Sequence, residues 1–218
     1  MTGTLAERFA ALGQALPAGS HLLAVSKGHP AELVRQLASL GQRSFGESRV
    51  QEAIAKQAEL ADLPPLDWHF IGRLQANKAR QVLRHFGTIH SVDSLELAQR
   101  LARIAAEEGL SPRVFFQLKF QADPDKTGWE PDHFLRDWPQ LQLLAPLQAV
   151  GLMTILPFGL TLAERKVLFD RCAAFGTRFG LPELSMGMSG DWPEAAAAGS
   201  TWLRIGSGLF GSRNNISA

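Results

Sequence analysis

The 218-residue chain contains no tyrosine and only one cysteine, Cys172. A single cysteine excludes an internal disulfide and any cysteine-based metal cluster, and it permits a reducing compartment. The missing tyrosine removes the phenol from the available acids and bases. An excess of charge is missing too: Lys+Arg 22 against Asp+Glu 21 leaves +1. No bulk field therefore draws the chain to nucleic acid or to an acidic membrane. No apolar run approaches the length of a transmembrane helix, and Met1 to Leu16 is amphipathic, with Glu7 and Arg8, rather than a signal peptide. The expectation is a soluble cytoplasmic protein. Repeats, low-complexity tracts and Pro/Gly-rich linkers are also lacking, so residues 1–218 are expected to form one domain with ample apolar content for a core. Gly-X-Ser-X-Gly and Walker-type loops are absent. His85, His90 and His133 show no metal-ligand spacing, and Cys172 sits in a helical stretch with no evident activating base.

What is present is a regular alternation of short apolar runs with helical patterns. After a first helix, Leu5 to Leu16, strands are expected at His21–Val25, Arg43–Phe45, Asp67–Ile71, Thr88–Ser91, Val114–Leu118, Leu147–Met153, Leu184–Met186 and Trp202–Ile205. Helices are expected at Ala31–Leu40, Val50–Leu60, Gln75–Arg84, Leu95–Glu108, Asp132–Trp138, Leu162–Phe179 and Pro193–Ala198. Ser94 suits an N-cap, Asp191 is placed as the cap of the last helix, and Asp123 to Gly128 reads as a loop. Eight strands alternating with helices or turns point to a closed (β/α)8 TIM barrel, with an open doubly wound sheet as the alternative.

Lys27 falls at the end of the first strand, in Ala24-Val25-Ser26-Lys27-Gly28-His29-Pro30. Burying an ammonium without a partner is costly. Such a lysine either snorkels to water or serves as a neutral amine for Schiff-base chemistry with an aldehyde. In a barrel the functional face is the carboxyl end of the strands, and phosphate sites often follow strands seven and eight. Two Gly/Ser-rich loops fall there: Ser185-Met186-Gly187-Met188-Ser189-Gly190 and Gly206-Ser207-Gly208. Glycine lets backbone N–H groups approach an anion, and serine adds a hydroxyl. Their placement opposite a strand-end lysine favours the reactive reading. Arg204 interrupts the last strand and needs an acceptor if buried. The pyridine nitrogen of pyridoxal phosphate would serve, as would a salt bridge to Asp93 or Glu47. His69, in an apolar strand, fits either a satisfied core histidine or a cofactor-facing one.

Together these stretches resemble the pyridoxal phosphate homeostasis proteins, the YggS/PROSC-type family. The likeness is carried by Ala24–Lys27, Phe45-Gly46-Glu47, Trp68–Gly72, Leu74–Lys78, Ser91-Val92-Asp93, Gly151-Leu152-Met153, Leu184–Ser189 and Gly199–Gly206, in family order along the chain. The resemblance implies a single barrel similar to the alanine racemase N-terminal domain, with pyridoxal 5′-phosphate held as a Schiff base on Lys27. It implies Arg204 facing the pyridine nitrogen and Ser189, Gly206 and Ser207 around the phosphate. Ser200 and Thr201 are expected nearby, His69 lining the pocket, and Met186 among the cofactor-binding residues. This chain departs from the family pattern at Ser48, where Asn is usual, at Arg73, where His is usual, and at Leu118-Lys119, where Asn is common after the fifth strand.

The implied role is intracellular pyridoxal phosphate (vitamin B6) homeostasis without catalytic turnover. Pyridoxal-phosphate-dependent apoenzymes are the expected partners and a monomer the expected state. The alternatives are an amino-acid racemase and a cofactor-free lysine aldolase. A two-base racemase of the alanine racemase type needs a tyrosine and an extra domain, and the sequence offers neither. A permanently cationic Arg204 also disfavours protonating the pyridine nitrogen, which weakens the electron sink.

Overall fold

The structure is a computed structural model that describes residues 3–123 and 126–211. Its strands are β1 (His21–Val25), β2 (Ser44–Glu47), β3 (Asp67–Phe70), β4 (Thr88–Val92), β5 (Arg113–Gln117), β6 (Gln148–Met153), β7 (Glu183–Met188) and β8 (Trp202–Ile205). They pair in chain order and all in parallel. β1 also pairs with β8, from His21 opposite Trp202 to Ala24 opposite Ile205. That last ladder closes the barrel and excludes the open sheet.

Nine helices surround it among the described residues: α1 (Leu5–Ala15), α2 (Ala31–Ser39), α3 (Val50–Glu59), α4 (Ala79–His85), α5 (Leu95–Glu108), α6 (Pro131–Leu141), α7 (Leu162–Arg178), α8 (Trp192–Ala197) and α9 (Ser207–Phe210). Their starts follow from local chemistry. Thr4 with Glu7 and Thr161 with Glu164 form reciprocal capping boxes on α1 and α7, and Ser94 Oγ accepts from Leu97 N–H at 3.3 Å to open α5. None of these helices is long and apolar enough to cross a membrane.

Alternation along each strand divides the side chains between two cores. The larger lies between the outer barrel surface and the helices and includes Phe45, Ile89, Phe116 and Leu203. The smaller fills the barrel axis with Leu23, Phe115, Met153 and Trp202. α1 reaches round to the last element, where Arg8 Nε donates to the Leu209 carbonyl at 2.6 Å. It thereby braces the segment that follows the Gly206 loop.

Several expected boundaries move. β2 begins at Ser44 and runs on to Glu47, because Glu47 is buried in a polar cluster rather than left in the loop. β7 extends to Met188 through a bulge. The helix expected from Gln75 opens as a single 3-10 turn, Ala76–Lys78, before α4. α6 continues past Pro139 to Leu141, with Trp138 packed on Phe134 and Phe179, and this packing outweighs one lost backbone hydrogen bond. Asp191 stands at the N-cap of α8, but its carboxylate accepts from Met188 N–H at 2.6 Å instead of capping the helix. Within the loop expected at Asp123 to Gly128, Pro124 and Asp125 lie outside the described residues.

Candidate functional site

A cavity of about 340 Å³ opens at the carboxyl ends of the strands. Lys27 and Arg204 supply its positive charge, Ser189, Gly190, Gly206 and Ser207 its small polar wall, and Ile71, Ile155 and Met188 its apolar wall. His29 also lines it and stacks on Phe210 with ring centroids 4.8 Å apart.

Lys27 is half-buried, two residues past the end of β1. The turn that carries it is fixed from below. Buried Ser26 donates through Oγ to Glu47 Oε1 at 2.7 Å, and its carbonyl accepts from Lys56 Nζ at 2.9 Å. Lys56 Nζ also pairs with Glu47, and Glu52 on α3 accepts from Gly28 N–H. Glu47 and Lys56 are both buried, and Glu47 Oε2 has no hydrogen-bond partner. Burial pushes the Glu47 carboxyl upward, and the Lys56 charge and the hydrogen bonds only partly hold it back. The sequence offered Glu47 within the Phe45-Gly46-Glu47 stretch and as a candidate partner for Arg204. Its true partner, Lys56, lies on α3 at no motif spacing.

The loop after β7 is shaped by Gly187, whose φ of 84° lies in the left-handed region. Its backbone presses on α8, and a Cβ there would come within 2.6 Å of Ala195. Ser185 points to the barrel axis, so Met186 packs outward in the helix-facing core by ordinary alternation, and the bulge at Gly187 then brings Met188 to the cavity. The cavity is thus lined by Met188 and not by Met186, the methionine expected among the cofactor-binding residues. Ser189 Oγ accepts from Gly208 N–H at 3.0 Å, which joins the two Gly/Ser loops into one wall.

Arg204 is 4% exposed. Its Nη1 donates to the Ser185 carbonyl and, at 2.8 Å, to Ser185 Oγ; its Nη2 donates to the Thr154 carbonyl at 2.9 Å. Among the described residues no carboxylate pairs with it, so neither Asp93 nor Glu47 plays that part. Three of its five N–H bonds are used in this way. The guanidinium lines the cavity with donors to spare. Burial pulls it down to about 10, against Asp191 and Cys172 acting the other way, and it stays cationic at neutral pH.

Besides Met186, three expected site residues lie elsewhere. His69 does not line the cavity. It sits two residues below Ile71 on the barrel axis, fully buried and hydrogen-bonded to His90 and Asp67. Ser200 and Thr201 precede β8, at the amino end of the barrel. Their hydroxyls bond the backbone of Leu184 and, for Ser200, of Met186 and Trp202, which fastens β7 to β8. Lys27, Ser189, Arg204, Gly206 and Ser207 do converge. Of the departing residues, Ser48 and Arg73 line a separate groove, and Lys119 lies 3.8 Å from Glu130. Cys172 is buried in α7, and burial pushes its thiol up to about 12, which leaves it inert.

A family profile described as "Alanine racemase, N-terminal domain" matches residues 2–214. A curated "Pyridoxal phosphate homeostasis protein" from a Synechocystis species is 46% identical over 204 residues, 91% of this chain and 94% of that one. The chain belongs to the pyridoxal phosphate homeostasis protein family. A Pseudomonas aeruginosa relative of the same name is 43% identical over 201 residues, 91% of this chain and 86% of its own. The solved structure of PipY from Synechococcus elongatus, "with PLP bound", superposes with a TM-score of 0.92 at 52% identity, covering 95% of this chain and all of that one. Alanine racemase from Clostridium difficile, at 16% identity and a TM-score of 0.77 over 97% of this chain and 57% of its own, shares the fold.

Proposed function

We propose that this chain binds pyridoxal 5′-phosphate at Lys27 and serves to hold and release it rather than to turn over a substrate. The observation that carries this reading is the convergence on one cavity of an amine, a cation without a carboxylate partner and a wall of glycines and serines. Each matches one part of the cofactor. When bound, the cofactor supplies an aldehyde that condenses with an amine and a ring that delocalises charge. Lys27 offers the amine. Arg204, with N–H groups left over at the cavity, suits a ring nitrogen that accepts. Ser189, Gly206 and Ser207 offer hydroxyl and backbone donors to a phosphate. Ile71, Ile155 and Met188 would exclude water beside the ring. The names of the relatives and the cofactor in PipY support the same reading.

Two features favour storage over turnover. The sequence has no tyrosine to act as a base on the second face of the ring. Arg204 cannot give up its proton and so disfavours a protonated ring nitrogen. The reading extends to a cytoplasmic monomer that releases cofactor to pyridoxal-phosphate-dependent apoenzymes, with no role for nucleic acid or membrane.

The test is reduction with borohydride in the presence of pyridoxal phosphate, followed by peptide mass mapping. The phosphopyridoxyl mass is expected on the Lys27 peptide and is expected to disappear in Lys27→Ala. An adduct that persists in that variant, on Lys78 or Lys126 for instance, overturns the assignment.

A further inference from the structure

Behind Arg204 lies a file of polar side chains that the cavity does not use. Arg204 Nη1 is 2.8 Å from Ser185 Oγ, which is 2.7 Å from His90 Nδ1. His90 Nε2 is 2.8 Å from His69 Nδ1, and His69 Nε2 is 2.6 Å from Asp67 Oδ2. The members come from β8, β7, β4 and β3, so the closed barrel alone brings them together. Ser185, His90 and His69 have no exposed surface, whereas the Asp67 side chain is 43% exposed at the amino end. The file thus crosses the barrel from the mouth to the opposite end.

Its direction is determined by its two ends. A guanidinium only donates and a carboxylate only accepts. Arg204 donates to Ser185 Oγ, so the serine hydrogen goes to His90 Nδ1. His90 Nε2–H then donates to His69 Nδ1, and His69 Nε2–H donates to Asp67. Every donor points away from Arg204. The reverse order would aim two donors at Ser185 Oγ and leave its own hydrogen without an acceptor. Charge agrees with this order. Burial, with the charges of Arg204 and Arg113 beside it, presses His90 well below its ordinary value, so it stays neutral. Burial raises Asp67, but its hydrogen bonds from His69 and Ser44 and nearby positive charge outweigh that and lower it, so it stays ionised. The rings are clamped as well: His90 stacks on Phe115 at 4.3 Å, and His69 lies 4.7 Å from Trp202.

We propose that Asp67, His69, His90 and Ser185 form a one-way hydrogen-bond relay that positions the Arg204 guanidinium at the cavity and ties its charge to an anion at the far end of the barrel. All four are positioning residues that act through Arg204. A buried cation surrounded by neutral acceptors is steadied by polarisation, because each bond in such a chain strengthens the next. The consequence for ligand affinity rests on the cofactor reading above. A change at Asp67, remote from the cavity, alters how firmly the ring end of pyridoxal phosphate is held.

The wiring is tested first without cofactor, on the full chain carrying isotope-labelled histidine, by long-range proton–nitrogen spectra near neutral pH. His69 and His90 are each expected to carry the ring proton on Nε2 and to accept at Nδ1, as the donor order requires. A His90 protonated on Nδ1, or on both nitrogens, overturns the relay whatever the variants do. The second arm titrates pyridoxal phosphate into Ser185→Ala and Asp67→Asn, with thermal unfolding to establish that each is folded. Ser185→Ala is expected to bind roughly tenfold more weakly, the scale of one hydrogen bond to a charged group, with a displaced visible absorption band. Asp67→Asn should show a loss of about threefold, since it weakens the chain without cutting it. Ser185→Thr, which keeps the hydroxyl, should restore both affinity and band. Folded variants with affinity within about twofold of the parent and an unmoved band refute the coupling. A parent chain with both expected tautomers but no uptake of pyridoxal phosphate would retire the cofactor reading and leave the relay standing.

Discussion

Replacing Lys56 by methionine removes the support beneath Lys27 while nearly preserving volume. Lys56 Nζ donates to Glu47 and, at 2.9 Å, to the Ser26 carbonyl, and Glu47 has no exposed surface. Burial already pushes the Glu47 carboxyl upward, and the Lys56 charge and hydrogen bond are the leading restraints on that rise. Without them the carboxyl climbs further and takes up a proton in the folded protein at neutral pH. In the unfolded chain it ionises near its ordinary value of 4.5. Folding the variant therefore binds a proton. Its stability is fullest below that unfolded value and falls by about 1.4 kcal/mol per pH unit until the folded carboxyl ionises. Breaking a buried pair from one side costs about 3–5 kcal/mol. Urea unfolding at about pH 6 and about pH 8, fitted with a common m-value, is expected to show the deficit against the parent widening by roughly 1–3 kcal/mol. Glu47→Gln combined with Lys56→Met should lose that slope, because glutamine does not titrate. A deficit that is constant with pH, or below about 1 kcal/mol, would refute the reasoning.

Two further outcomes are expected. Pyridoxal lacking its phosphate should bind orders of magnitude more weakly than pyridoxal phosphate, since several charge-assisted hydrogen bonds of roughly 1.5–3 kcal/mol each are lost; equal affinities in a titration would dismiss the Ser189–Gly206–Ser207 wall as a phosphate site. Incubation with L- and D-alanine in deuterium oxide should give α-proton exchange no faster than free pyridoxal phosphate, and exchange with inversion on the order of 1 s⁻¹ would demand a base other than tyrosine, His29, which lines the cavity, being the first to examine.

The barrel was legible because its signal is local and repeated. Short branched runs such as His21–Val25 and Val114–Leu118 alternate with helical patterns, and an N-cap such as Ser94 needs only its neighbours. The cavity residues at strand ends were legible for a related reason. In a parallel barrel the carboxyl ends all open on one face, so Lys27, Arg204 and the Gly206 loop can be placed together without knowing any contact. The sequence could not choose between Met186 and Met188 at the cavity, because the glycine at positive φ shifts the alternation after it and nothing in Ser-Met-Gly-Met-Ser announces that shift. The place of Ser200 and Thr201 was not legible, because a hydroxyl beside a strand looks the same at either end, and theirs bonds the backbone at the amino end.

The interior charges were hidden for a different reason. His90 was set aside with His85 and His133, whose spacing matches no ligand pattern, and nothing in the sequence joins it to His69, 21 residues away, or to Ser185, 95 residues away. No periodicity relates positions on β3, β4, β7 and β8; only the strand registers of the closed sheet bring their inward side chains to the axis. The same holds for Glu47 and Lys56, which join β2 to α3. Arg204 shows how the two kinds of information meet. The sequence poses the question of what a buried arginine donates to, and it offers Asp93 or Glu47 as ordinary answers. The structure replaces them with two carbonyls and a serine hydroxyl, all neutral. A carboxylate in direct contact would have saturated the guanidinium and cancelled its field. Neutral acceptors leave both its charge and its remaining N–H groups directed at the cavity, which is what a ligand with an accepting ring atom requires.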